Sequence, residues 1–249
     1  MELPSLVLLA ALIFAAAALY TSVGHAGASG YIAAMALMGV SAGVMKPTAL
    51  TLNILVAGFA SLRWTRNGKD LDWRSLLPLV IASVPAAFIG GAYQLSQGTY
   101  RLLVGAILLA AAIKLLLRPN GESYECANKV HVPWLPGFLT GAGIGLLSGL
   151  TGTGGGIFLT PLLLFLGWAA PRQASGLTAP FILLNSVAAM VGNVAALRSL
   201  PPELPCLVLA ALAGAVLGTQ AGINWTSTAM LQRFLGVVLL IAAGKFLLI

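Results

Sequence analysis

Of the 249 residues, 59% are hydrophobic and 8% charged, and the mean hydropathy is +0.98. A water-soluble domain cannot hide that much apolar surface. The formal net charge of +7 does not point to nucleic acid, because the basic residues punctuate apolar runs instead of forming one face.

The first apolar run covers residues 3–20. Leu6 to Leu19 has the look of a signal-peptide core, but Glu2 stands where such a peptide would be basic, so the segment is predicted to be a structural helix. It leads into a glycine-rich break, Gly24-His25-Ala26-Gly27-Ala28-Ser29-Gly30. Apolar runs follow at 31–41, 48–62, 75–95 and 102–117. A crossing takes about 20 residues, so the shorter runs are predicted to be half-helices, tilted core helices or re-entrant pieces. The runs are continuous rather than alternating, and Ala, Leu and Gly dominate them, which excludes a β-barrel.

Two stretches are plainly polar. Arg63, Arg66, Lys69 and Arg74 mark one, and Lys114, Arg118 and Lys129 flank the other, residues 118–135. The positive-inside rule puts both in the cytoplasm. Residues 118–135 also divide the chain into a first membrane repeat, 1–117, and a second, 136–249. The second holds runs at 135–150, 157–170, 177–197, 204–222 and 229–249, with the break Gly152-Thr153-Gly154-Gly155-Gly156 after the first of them. Cys126 and Cys206 show no metal spacing or evident pairing.

The halves correspond. Residues 22–31 overlay residues 148–157, Thr51 overlays Thr178, and Gly105 with Lys114 overlays Gly236 with Lys245. Weak internal symmetry of this kind marks a transporter repeat. Five segments per half make the repeats inverted, whereas a single crossing by each broken pair makes them parallel. Charge counting does not separate the two, and the length of the 3–20 run favours inversion. The predicted fold is an all-α integral membrane bundle of two inverted repeats, each with a glycine-broken helix pair, and about 8–10 membrane segments.

A chain broken twice inside lipid must place its freed backbone groups in protein or in a water-filled cavity. A new helix begins after each break, and its first N–H groups, at the positive end of the helix dipole, suit an anion. Gly24, Gly27, Gly30, Gly152, Gly154, Gly155 and Gly156 permit close backbone approach, and Ser22, Ser29, Thr151 and Thr153 add hydroxyls. The acidic residues Glu2, Asp70, Asp72, Glu122, Glu125 and Glu203 all lie at ends or in polar connections, which favours an anionic over a cationic solute. His25, of the type that titrates near neutral pH, is a candidate for proton coupling or for orienting its loop. Lys46 and Arg172 are candidates for attracting an anion into a vestibule or for snorkelling to the interface. Thr51, Asn53, Thr178 and Asn185 are polar positions in apolar helices, predicted to face a cavity or another helix.

The competing reading for the break glycines is close helix packing, which also suits Gly137, Gly141, Gly143, Gly145 and Gly149. Neither break satisfies G-x-G-x-x-G after a strand, so no dinucleotide cofactor is expected. No metal site and no other cofactor is expected either.

The segment Leu150-Thr151-Gly152-Thr153-Gly154-Gly155-Gly156-Ile157-Phe158-Leu159-Thr160-Pro161, followed by Ala174-Ser175-Gly176-Leu177-Thr178, resembles the repeat signature of the TauE/SafE family of sulfite exporters. Residues 23–31 resemble the same motif in degraded form, interrupted by His25, Ala26 and Ala28. The resemblance covers essentially the whole chain. It implies a multi-pass inner-membrane permease moving sulfite, sulfonates or related anions, commonly outward. The expectation is a secondary transporter whose two breaks hold the anion near the midplane and whose bundles rock to alternate access. A carrier of a metal cation or neutral metabolite, a channel and an intramembrane enzyme are the alternatives. The oligomeric state is not legible.

Overall fold

The computed structural model describes residues 3–22, 24–66, 72–93, 95–116, 130–169 and 171–224, together with 240, 243, 244 and 247. Leu117, residues 118–129 of the central linker and nearly all of the last apolar run therefore lie outside the described residues, as do Val23, Lys69, Gly236 and Lys245. Among the described residues there are helices and no strand.

In chain order the helices are α1 (Leu3–Ser22), α2 (Ala28–Leu37), α3 (Ala42–Arg66), α4 (Trp73–Ala92), α5 (Gln97–Leu116), α6 (Trp134–Thr151), α7 (Gly156–Phe165), α8 (Pro171–Gly192) and α9 (Leu204–Asn224), with a 3₁₀ turn at Val194–Ser199. Among the described residues, five helices are long and apolar enough to cross a bilayer: α1, α3, α4, α8 and α9. The 10 residues of α2 and of α7 span about 15 Å each, half the hydrocarbon thickness. α3 and α8 start six residues before the apolar runs that announced them, because Lys46 and Arg172 interrupt the hydropathy inside their first two turns without interrupting the helix.

In lipid, helices gain nothing by burying apolar surface against each other, so close backbone contact has to hold them together. α6 lies along α4 in parallel. A Cβ on Gly141 would strike the backbone of Leu79, one on Gly145 that of Ser83, and one on Gly149 that of Ala87. α9 uses the same device on α1: a Cβ on Gly214 or Gly218 would strike the carbonyls of Phe14 and Ala18. Gly143 departs from the packing stripe expected for it. A Cβ there meets nothing within 4 Å, because it falls two residues out of step with the four-residue spacing.

α3 and α8 form the centre and run antiparallel. Leu50 packs with Ala189 and Met190, Asn53 meets Ser186, Gly58 faces Leu183, and Ala60 packs with Ala179. Outward-facing Leu8, Ile81, Phe88, Leu102, Leu139 and Leu209 are between 46% and 70% exposed, as a lipid-contacting belt requires. Trp73 and Trp134, exposed at the starts of the parallel α4 and α6, suit one interface.

Candidate functional site

The second break leaves α6 at Thr151. Gly152, Gly154 and Gly155 have φ of 80°, 74° and 82°, a left-handed region that costs an L-residue about 1–2 kcal/mol, and the chain re-enters a helix at Gly156. The turn is closed by its own polar groups. Thr151 Oγ1 donates to Leu147 O at 2.7 Å and lies 2.9 Å from Thr153 Oγ1, and Tyr100 OH donates to Thr151 O at 3.1 Å. Asn53 Nδ2 donates to Thr153 O and to Ser186 Oγ, each at 3.4 Å. Gly154 faces Asn53, Ile182 and Ser186, Gly155 faces Ile144 and Phe181, and Gly156 faces Ile182 and Thr178. The break thus runs between α3, α6 and α8, and α7 begins at its inner end, where the Phe158 and Leu159 N–H groups close on Gly155 O at 3.1 Å each.

The first break is built otherwise. Gly24 and Gly27 take φ of 80° and 107°, and α2 turns back so that Gly30 lies over Ala16 and Tyr20 of α1. Two tyrosines close it: Tyr20 OH pairs with Ser29 Oγ, and Tyr31 OH donates to Ala26 O. Ser22 Oγ donates to Leu19 O at 2.7 Å. His25 is half-buried, its backbone N–H donates to Tyr20 O at 2.9 Å, and its ring stands edge-on to Tyr20 with centroids 6.3 Å apart.

The two breaks touch opposite ends of the central pair. A Cβ on Gly24 would lie 2.6 Å from Ser175 Cβ, in the second turn of α8. One on Gly152 would lie 3.1 Å from Lys46 Cγ, in the second turn of α3. Because α3 and α8 are antiparallel, those contacts are about 27 Å of helix apart. The inner ends approach each other more closely: Ala26, Ala28 and Ile182 belong to one buried cluster, Ile157 packs against it, and Ile182 also faces Gly154 and Gly156.

Of the two candidate vestibule cations, Lys46 turns inward. It is 7% exposed, and its ammonium donates to Gly90 O, Gly91 O and Tyr93 O at 3.3, 3.1 and 3.2 Å. These carbonyls end α4, where the helix dipole is negative, so α4 supplies the counter-charge that lets a lysine lie within the protein beside Gly152. Lys46→Met is expected to lower stability by about 2 kcal/mol, since it leaves the helix end without its donor. Its melting temperature in detergent should fall below that of Arg198→Met, at a site on the exposed 3₁₀ turn; equal values would contradict the cap. Arg172 lies in the first turn of α8, and its side chain is outside the described residues.

The remaining polar candidates are embedded in helices. Thr51 Oγ1 donates to Pro47 O at 2.9 Å, Thr178 Oγ1 donates to Ala174 O and lies 2.7 Å from Thr160 Oγ1, and Asn185 Nδ2 donates to Phe181 O at 2.9 Å. Ser148, Ser186 and Tyr100 at the second break were missed by the sequence reading, although a serine in the apolar 177–197 run and another four residues before Gly152 are the same kind of signal as Asn53.

Comparison with known proteins matches residues 9–246 to the family model described as "Sulfite exporter TauE/SafE". This chain belongs to the TauE/SafE family. Over 243 residues it is 38% identical to "Probable membrane transporter protein y4hK" of Sinorhizobium fredii (strain NBRC 101917 / NGR234), covering 96% of this chain and 97% of that one. A "Probable membrane transporter protein" of Haemophilus influenzae (strain ATCC 51907 / DSM 11121 / KW20 / Rd) is 26% identical over 151 residues, covering 60% of this chain and 56% of that one. No solved structure matches significantly. The TauE/SafE assignment and the apolar helices make the chain a multi-pass membrane transporter, not an enzyme.

Proposed function

We propose that this protein is a secondary transporter that carries sulfite, or a related small sulfur-containing anion, outward across the bacterial inner membrane, holding it with backbone amides of the two glycine-rich breaks. The observation that carries the reading is the second break. Three glycines with positive φ lead straight into the N-terminus of α7, and the Lys46 stem lies against the first of them. Amides and a helix dipole hold an anion without a fixed charge of their own. The sign is supported by the acids: among the described residues Asp72 caps α4 and Glu203 precedes α9, both outside the apolar helices, and no group of His, Cys, Asp or Glu is arranged to hold a metal.

The antiparallel pairing of α3 with α8 supports inverted repeats. These helices occupy equivalent places in the two halves and point in opposite directions, as an axis in the membrane plane requires. The two breaks then approach the centre from opposite faces of the membrane. Rocking of one repeat against the other exposes the anion to each side in turn, driven by an ion gradient or by the solute's own gradient.

The test is radiolabelled sulfite counterflow in proteoliposomes, with sulfate, thiosulfate, sulfoacetate and taurine as competitors. Saturable sulfite counterflow above protein-free liposomes is expected. Sulfite flux at the protein-free level, beside robust flux of another solute, would overturn the assignment.

A further inference from the structure

We infer that the seat at the second break selects an oxyanion that itself donates a hydrogen bond, one carrying an O–H or N–H, and that Asn53 and Asn185 accept it. This rests on the reading of the second break as a solute site and adds what the solute must bring to it.

Both asparagines are fully buried. Asn53 Nδ2 donates to Thr153 O and Asn185 Nδ2 to Phe181 O. A backbone carbonyl can only accept, so these bonds fix which end of each carboxamide is nitrogen. The oxygens that remain, Asn53 Oδ1 and Asn185 Oδ1, have no hydrogen-bond partner in the protein, and neither has Ser148 Oγ. Unmet acceptors at such depth are costly and uncommon, and each calls for an explanation.

Their placement supplies one. A Cβ added at Gly154 would strike Asn53 Nδ2, on the same carboxamide carbon as the unmet oxygen, and would lie 2.9 Å from Ser186 Oγ. Phe181 and Ser148 face Gly155 from the other side, at 3.0 and 3.5 Å from the same kind of added atom. Asn185 follows Phe181 by one turn on the same side of α8. The first break carries no such set: Ser22, Ser29 and the hydroxyls of Tyr20 and Tyr31 all have protein partners.

An anion whose oxygens are all bare offers only lone pairs. It suits the amides of α7 but sets its charge against the lone pairs of two carboxamide oxygens. A monoanion that keeps a hydrogen satisfies both sides, its oxygens on the amides and its hydrogen on the asparagines. The class comprises hydrogensulfite and the hydroxy- or amino-substituted sulfonates.

The experiment compares uptake of 2-hydroxyethanesulfonate and propane-1-sulfonate into proteoliposomes. The two have nearly the same shape and the same charge and differ by an O–H against a CH₃. Uptake of the hydroxy compound by the unmodified protein is expected to be greater by at least about tenfold. In Asn53→Leu and Asn185→Leu the ratio should drop to about one to two. As a check that needs no variant, the hydroxy compound should raise the unmodified protein's melting temperature and propane-1-sulfonate should not. Equal uptake of both sulfonates with sulfite still carried would overturn the donor requirement alone. A preference that survives in both folded variants would overturn its assignment to the asparagines, and failure to carry sulfite or any sulfonate would overturn the proposed function and this inference with it.

Discussion

Replacing Gly154 with alanine is expected to cut solute flux by at least about tenfold while leaving folded protein in the membrane. Two effects act together. The residue sits at φ 74°, where an L-side chain costs about 1–2 kcal/mol. The added methyl would also meet the Asn53 amide, Ile182 Cγ2 at 2.8 Å and Ser186 Oγ at 2.9 Å, so the break must move away from α3 and α8. A loss of about 1.4 kcal/mol in solute binding already amounts to a factor of ten. Gly143→Ala is the control, because its Cβ enters open space on a neighbouring helix, and it should transport at the unmodified rate. Gly154→Ala at that same rate would reduce the break to a packing device.

The second large effect concerns folding. Gly145→Leu is expected to abolish monodisperse protein in detergent, because even a Cβ at this position would lie 2.6 Å from Ser83 Cα and deeper still against its carbonyl. α4 and α6 would have to separate along their length, and forcing side-chain volume into such a contact costs about 3 kcal/mol or more. Gly143→Leu, two residues away on the open side, should give a normal profile by fluorescence-detected size exclusion. Similar profiles for the two variants would contradict the interlocking of α4 with α6.

The helices were legible because lipid demands long uninterrupted apolar runs, and the nine described α-helices each fall on one of those runs. Their starts were less legible. α3 and α8 carry a cation within their first two turns, and hydropathy cannot distinguish a lysine at a helix end from one whose ammonium is satisfied by another helix, as Lys46 is by the end of α4. The packing glycines of α6 were readable from their four-residue spacing, and Gly143 was misassigned because the spacing was applied to every glycine in the helix.

The candidate site was legible as a pattern of glycines but not as a geometry. The sequence offers two matching breaks, whereas the fold gives them different neighbours. Tyr20 and Tyr31 close the first with their hydroxyls, while the second meets Asn53 and Ser186 from helices 100 or more residues apart in sequence from α3 to α8. That difference arises from which helix crosses which, and no local window of sequence contains it.

The most direct measurement is hydrogen–deuterium exchange of the protein in lipid nanodiscs, read on peptides spanning 151–158, with and without saturating sulfite. If the amides after the second discontinuity hold the anion, exchange over 152–157 slows when sulfite is present, and the effect disappears in Gly154→Ala. Exchange there that is indifferent to sulfite, in protein shown to transport it, would contradict the account at its centre.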